Sequence, residues 1–170
     1  ALRDTDARVR GLDLRQRPGD LDVDALAREA PPLVVVETSI RNVPEVLALG
    51  ARLKSKMGTR VALTGPAAVL AAGGFIEAGA ADAEITGDPE TTLPLLLRHD
   101  WTTRPGIPGV RQQNALGQIV EGPPERGDSL DHVPSADRHV FPWQNYATHP
   151  LRDSGPEATL STSRGCRFAC

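Results

Sequence analysis

The run Leu33-Val34-Val35-Val36, bounded by Pro31-Pro32 and by Glu37-Thr38-Ser39, constrains the fold more than any other feature of this chain. A short, continuous, β-branched apolar run closed by turn-forming residues reads as a strand buried on both faces, the environment of a parallel sheet covered by helices. The residues that follow repeat the rhythm. Val43, Val46, Leu47, Gly50 and Leu53 recur at helical spacing, Asn42 stands where an N-cap belongs, and Lys54 and Lys56 suit the negative C-terminal end. Arg60 to Thr64 is a second strand, stopped by Gly65-Pro66, and an alanine-rich helix is predicted from Ala67 to Ala78. Ala83 to Thr86 is a third, ended by Gly87-Asp88-Pro89-Glu90 and followed by a helix from Thr91 to Arg98. Upstream, Arg8 to Leu14 alternates like a half-buried strand, and the Pro18-Gly19 turn leads into a helix from Leu21 to Glu29. Parallel neighbours need crossover connections, and strands in series with helices between them supply those. The predicted class is therefore α/β, a doubly wound parallel sheet of the Rossmann or flavodoxin type.

In such sheets a ligand sits in the crevice beyond the carboxyl ends of the strands. Thr38-Ser39, Thr64-Gly65-Pro66 and Gly87-Asp88-Pro89-Glu90 share that edge. Loops of this kind also serve as plain helix caps, because Gly, Pro and short polar side chains are what strand-to-helix turns require. The residue types alone favour a binding crevice only slightly over capping.

Charge and composition remove several classes of function. Nineteen basic against twenty-two acidic side chains give a net charge of -3, which argues against a nucleic-acid surface driven by counterion release. The longest uncharged stretch, Val61 to Ile76, contains Thr64, Pro66, Gly73 and Gly74 and falls short of the roughly 20 apolar residues that span a bilayer. No membrane association is expected. The charged start, Ala1 to Asp6, lacks the apolar centre of a signal peptide, so a cytoplasmic location is the simplest expectation.

Beyond Arg98 the punctuation changes. Gly106 to Val120 alternates like a short hairpin turning at Asn114 to Gly117, an edge ribbon. From Gly122 to Pro156 six prolines and no sustained periodicity mark a linker, and three of the six aromatic residues, Phe141, Trp143 and Tyr146, are placed to anchor it. A last strand, Ala158 to Thr162, runs into Ser163-Arg164-Gly165-Cys166-Arg167-Phe168-Ala169-Cys170. The expected organisation is an α/β domain over 1–100, a hairpin and Pro-rich linker over 101–157, and the start of a further domain over 158–170. His99, His132, His139 and His149 lie in polar or loop contexts that suit solvent-facing roles.

Two cysteines do not make a disulfide framework. Spaced Cys-x-x-x-Cys, they are two ordinary thiols, half of a zinc site completed by His139 or His149, or part of an iron-sulfur loop. Gly165 before Cys166 permits close backbone approach to an inorganic group, and a cluster needs at least one more thiolate than the chain contains.

Thr162-Ser163-Arg164-Gly165-Cys166-x-x-x-Cys170 resembles the opening of the radical S-adenosylmethionine (SAM) signature, Cys-x-x-x-Cys-x-aromatic-Cys. The preceding residues are similar to the cobalamin-binding domain that comes before the barrel in one radical SAM subgroup. Leu33 to Ser39, Val61 to Pro66 and Gly79 to Glu90 match in order, the last as a Gly-x-x-Asp strand leading into a Gly-Asp-x-Glu loop, and Leu130-Asp131 and Val133 to Arg138 match its linker. Arg167 departs from the proline common in the family. The family's further strand and helix before Arg8 would have to precede this chain, as the third cysteine would have to follow it.

The resemblance implies the N-terminal part of a cobalamin-dependent radical SAM enzyme, a methyltransferase or a related enzyme acting on a small-molecule substrate and drawing on an electron donor. Cys166 and Cys170 would ligate a 4Fe-4S cluster that reduces SAM, once the barrel begun at 158–162 is complete. Thr38, Ser39, Thr64, Gly65, Pro66, Gly87, Asp88 and Glu90 would line the corrinoid. The alternative expectation is a stand-alone corrinoid-binding or flavodoxin-like module without radical chemistry. A phosphorylation receiver fits badly, because Thr86-Gly87 stands where such domains carry lysine and Glu37-Thr38 where they carry the acceptor aspartate.

Overall fold

The structure is a computed structural model and describes residues 6–14, 22–98, 101, 106–125, 131, 133 and 135–141. The chain divides into two compact units, one of residues 1–9 and 20–135 and one of residues 10–19 and 136–170.

The first unit is an α/β sheet. Its elements are α1 (Val23–Glu29), β1 (Leu33–Glu37), α2 (Val43–Met57), β2 (Arg60–Thr64), α3 (Pro66–Leu70), α4 (Gly74–Glu77), β3 (Ala83–Ile85), α5 (Pro89–Arg98), β4 (Val110–Gln113) and β5 (Ile119–Glu121). The five strands lie in sequence order. β1, β2 and β3 are parallel, with Leu33 opposite Arg60 and Ala62 opposite Ala83, while β4 and β5 are antiparallel. The expected edge ribbon is thus part of the same sheet, turning through Asn114, whose Oδ1 accepts from Leu116 N–H and Gln118 N–H.

Alternation along the strands makes two cores. Val61, Leu63 and the half-buried Val34 and Val36 pack with Val23, Val46, Leu53, Ala67, Ala68, Phe75 and Ile76 from α1 to α4. Ala62, Ala83, Ile85 and Val110 pack on the other side with Leu96 of α5, Trp101 and Ile107. The split follows from successive side chains of a strand pointing to opposite faces. Helices therefore cover both faces, an arrangement compatible with a Rossmann-like fold. The strand order does not reverse among the described strands, so the switch point of a doubly wound sheet is not among them.

Four expectations are corrected. Residues 7–13 carry no strand, and Val9 and Leu14 stand exposed, because alternation yields a strand only where a neighbour completes the ladder. β1 lies at the edge of the sheet among the described strands rather than buried on both faces, with Val35 39% exposed. The sheet is mixed, since the strands after β3 return as a hairpin. The helix expected over 67–78 breaks into α3 and α4 at an elbow where Ala72 (φ 51°) and Gly73 (φ 100°) are left-handed.

In the second unit, the 3-10 turn Arg138–Val140 begins beside an Asp137 carboxylate that accepts from the His139 N–H. Gly11 lies against Val140 and the Phe141 ring, leaving no room there for a side chain. Phe141 remains exposed, with its ring edge beside Gly11; Trp143, Tyr146, the strand expected over 158–162 and the barrel it would begin lie outside the described residues.

Candidate functional site at the carboxyl edge of the sheet

The loops after β1 and β2 are built into one another. Thr38 has no exposed surface: its N–H and its hydroxyl both donate to the Thr64 carbonyl (2.7 Å each), and the hydroxyl oxygen accepts from Ala68 N–H (3.0 Å). Gly65, the residue that would cap α3, has no side chain, so Thr38 supplies the oxygen from the neighbouring loop. Gly65 is required there. Its φ is 98°, and a Cβ would meet the Thr38 carbonyl oxygen at 2.3 Å. Ser39 is exposed, with its N–H (2.7 Å) and hydroxyl (3.2 Å) both donating to Asn42 Oδ1. Asn42, expected to cap α2, uses its side chain on Ser39 and on the Glu37 carbonyl instead. Thr64 is half-buried, Pro66 is exposed at the start of α3, and Ile40 stands 72% exposed just beyond Ser39.

The loop after β3 takes different partners. Thr86 N–H and Gly87 N–H both donate to the Gly109 carbonyl (2.8 and 3.0 Å), and Asp88 N–H donates to Glu125 Oε2 (2.9 Å). The Asp88 carbonyl opens α5 by accepting from Thr91 N–H, Thr92 N–H and the Thr91 hydroxyl. Glu90 is half-buried in the first turn, where a carboxylate is favoured by the helix dipole. Of the sequence-derived site residues, the fold therefore joins Thr38 to Thr64 by direct hydrogen bonds and packs Gly65 against the Thr38 carbonyl. Gly87 and Asp88 it joins to the hairpin and to residue 125.

Gly109 and Glu125 are parts of this edge that sequence reasoning missed. Pro108-Gly109 signals a turn, but nothing local marks a lone glutamate in a Pro-Pro-Glu segment. Also missed is a buried charge beneath α4. Glu84, without exposed surface, accepts from Gly73 N–H (2.8 Å), Phe75 N–H (3.1 Å) and Arg111 Nη1 (2.8 Å), and Arg111 Nη2 reaches both Glu121 oxygens at 3.2 Å. Burial pulls the Arg111 guanidinium down, but its bonds to Glu84 and Glu121 outweigh that and hold it above its ordinary value.

Cys166 and Cys170 lie outside the described residues, and no group of three or more potential metal ligands occurs among the described ones. No described helix is long and apolar enough to cross a membrane.

No family model matches the chain, and neither a curated protein nor a solved structure matches it.

Proposed function

We propose that the chain is the N-terminal part of a cobalamin-dependent radical SAM enzyme, with the corrinoid on the carboxyl edge of the sheet and Cys166 and Cys170 among the ligands of a 4Fe-4S cluster. The observation that carries the reading is the composition of that edge. Polar Ser39 and Thr64 and the Gly87-Asp88 turn lie on the same edge as an apolar side chain, Ile40, that the core leaves exposed. An exposed apolar side chain beside polar groups is what a large ligand with an apolar face and a polar rim would use. The order of the sequence adds the rest, since the cysteine pair follows this module after one Pro-rich linker.

The residues fit the corrinoid in distinct ways. Ser39 and Asp88 would meet its peripheral amides, and the fully buried Thr38 would act indirectly, by holding the loops after β1 and β2 together. When bound, cobalamin supplies a transferable methyl group and the cluster an electron for SAM; the chain's part is to hold and orient them. Methyl transfer to a small-molecule substrate is the reaction this arrangement serves, with the barrel choosing the substrate.

The test is the intact gene product purified without oxygen. Cobalt, iron and acid-labile sulfide in the same protein, with an aromatic residue and a third cysteine encoded directly after Cys170, would uphold the reading. Cobalt without iron would reduce it to a binding module. A colourless protein would end it.

A further inference from the structure

Residues 122–125 cross the β3–α5 loop and are fastened along their length. Gly122 N–H donates to the Val110 carbonyl (2.8 Å), the Pro123 carbonyl accepts from Gly109 N–H (2.9 Å), and the Glu125 carboxylate accepts from Asp88 N–H (2.9 Å). Two glycines line the place that receives Glu125. A Cβ on Gly87 would come within 3.0 Å of both Cβ and Oε2 of Glu125, and one on Gly109 within 2.8 Å of its Cβ. Gly87 and Gly109 also approach one another so closely that a Cβ on either would fall 2.9 Å from the other's Cα. Two glycines and one carboxylate are thus matched at the entrance to α5. The Asp88 amide is the donor that an oxygen of a ligand on this edge would seek, and the chain's own glutamate holds it. Pro123 and Pro124 stiffen the segment by fixing its backbone φ angles.

We propose that residues 122–125 form a strap with Glu125 as its latch: a ligand oxygen, from an amide carbonyl or an anion, competes with Glu125 for the Asp88 amide and releases the strap. The gating role rests on the reading of this edge as a ligand site; the latch does not.

The test uses the full-length protein as wild type, Glu125→Gln and Glu125→Ala. In the ligand-free state, loss of the carboxylate should accelerate hydrogen exchange at the Asp88 amide about tenfold in Glu125→Ala and less in Glu125→Gln, whose amide oxygen still accepts. Exchange in β2 should stay unchanged, which reports an intact fold. Equal Asp88 exchange in wild type and Glu125→Ala would overturn the latch. Equilibrium dialysis against hydroxocobalamin reads the gate. Without the competitor, Glu125→Ala should bind about tenfold more tightly, and ligand added to wild type should speed exchange at Gly109. Equal or weaker binding by Glu125→Ala would overturn the gate. Faster Asp88 exchange with no cobalamin binding by any variant would support the latch while overturning both the gate and the corrinoid reading.

Discussion

Arg111 on β4 sits directly opposite Glu84 on β3 in the antiparallel register, and its guanidinium closes a 2.8 Å ion pair on a carboxylate that has no exposed surface. The same carboxylate takes the two N–H groups at the α3–α4 elbow, so one side chain fastens the hairpin to the sheet and fixes the point where the helix breaks. Breaking a buried pair from one side leaves a charge without compensation, whereas replacing both partners by apolar groups is far milder. Arg111→Met and Glu84→Ala should each cost about 3–5 kcal/mol in urea unfolding. The double substitution should cost much less than their sum, and simple additivity would show that the pair is not coupled. Because its bonds to Glu84 and Glu121 hold the Arg111 guanidinium above its ordinary value, its own contribution is complete below that ordinary value and is lost only as pH rises through the higher folded one, so Arg111 itself should add no pH dependence between about pH 5 and 9.

The Thr38–Gly65 joint makes a second expectation. Thr38→Val keeps the shape but removes the hydroxyl that Ala68 N–H and the Thr64 carbonyl share, which should cost about 1–3 kcal/mol, with Thr38→Ser restoring most of it. Gly65→Ala should be worse than Gly79→Ala. Both positions have positive φ, but a Cβ at 79 meets nothing within 4 Å whereas one at 65 strikes the Thr38 carbonyl oxygen. Gly79→Ala shows the cost of a positive φ without a clash, about 1–2 kcal/mol, and equal melting temperatures for the two variants would refute the close-approach account.

What the sequence revealed and what it hid divide along physical lines. β1, α2, β2 and α5 were legible because each carries its own period and its own stop signals, as with Val34 to Val36 ahead of Thr38 or Gly65-Pro66 after Thr64. The elbow in the 67–78 helix was not, although Gly73-Gly74 hints at it, because its cause is Glu84, a charged residue inside a strand whose partner is distant in sequence. Charge in a strand ordinarily signals a solvated face; only pairing with Arg111 turns it into a core residue. Thr38 was legible as a loop polar residue but not as a buried joint, since its acceptor role is set by Gly65 lacking a side chain. Arg8 to Leu14 misled for the opposite reason: its alternation is real, but strand formation depends on a neighbour that local pattern cannot specify.

Asp24 on α1 and Lys56 on α2 give a pH-dependent expectation at the surface. The Lys56 ammonium, 2.6 Å away, holds the Asp24 carboxyl below its ordinary 3.8, first through the hydrogen bond and then through charge. A lowered folded value means the carboxylate form is favoured by folding, so the contribution is present above about pH 4 and is lost as pH falls through the folded value. In Lys56→Met the Asp24 titration followed by carbon NMR should move back up toward 3.8, and the urea midpoints of wild type and variant should converge in strong acid. A titration unmoved by Lys56→Met would remove the ion pair as the cause. The pair is solvent-exposed, so added salt should shrink the difference.

The two proposed cofactor sites are on different parts of the chain, which lets them be separated genetically. Serine is a poor substitute for a thiolate ligand to iron, so Cys166→Ser and Cys170→Ser in the intact protein should each bring iron and acid-labile sulfide close to background after oxygen-free purification. The corrinoid is assigned to other residues, so cobalt should be retained. Ser39→Leu should do the reverse, replacing a small polar side chain at the exposed loop after β1 with a bulky apolar one; it should lower cobalt occupancy and leave iron intact, since Ser39 is exposed and its N–H and hydroxyl donate to Asn42 within the same loop. Parallel loss of both metals in all three variants would point to a general folding defect. Full iron content in Cys166→Ser would remove the thiol pair from any cluster, and with it the main reason for assigning radical chemistry to this chain.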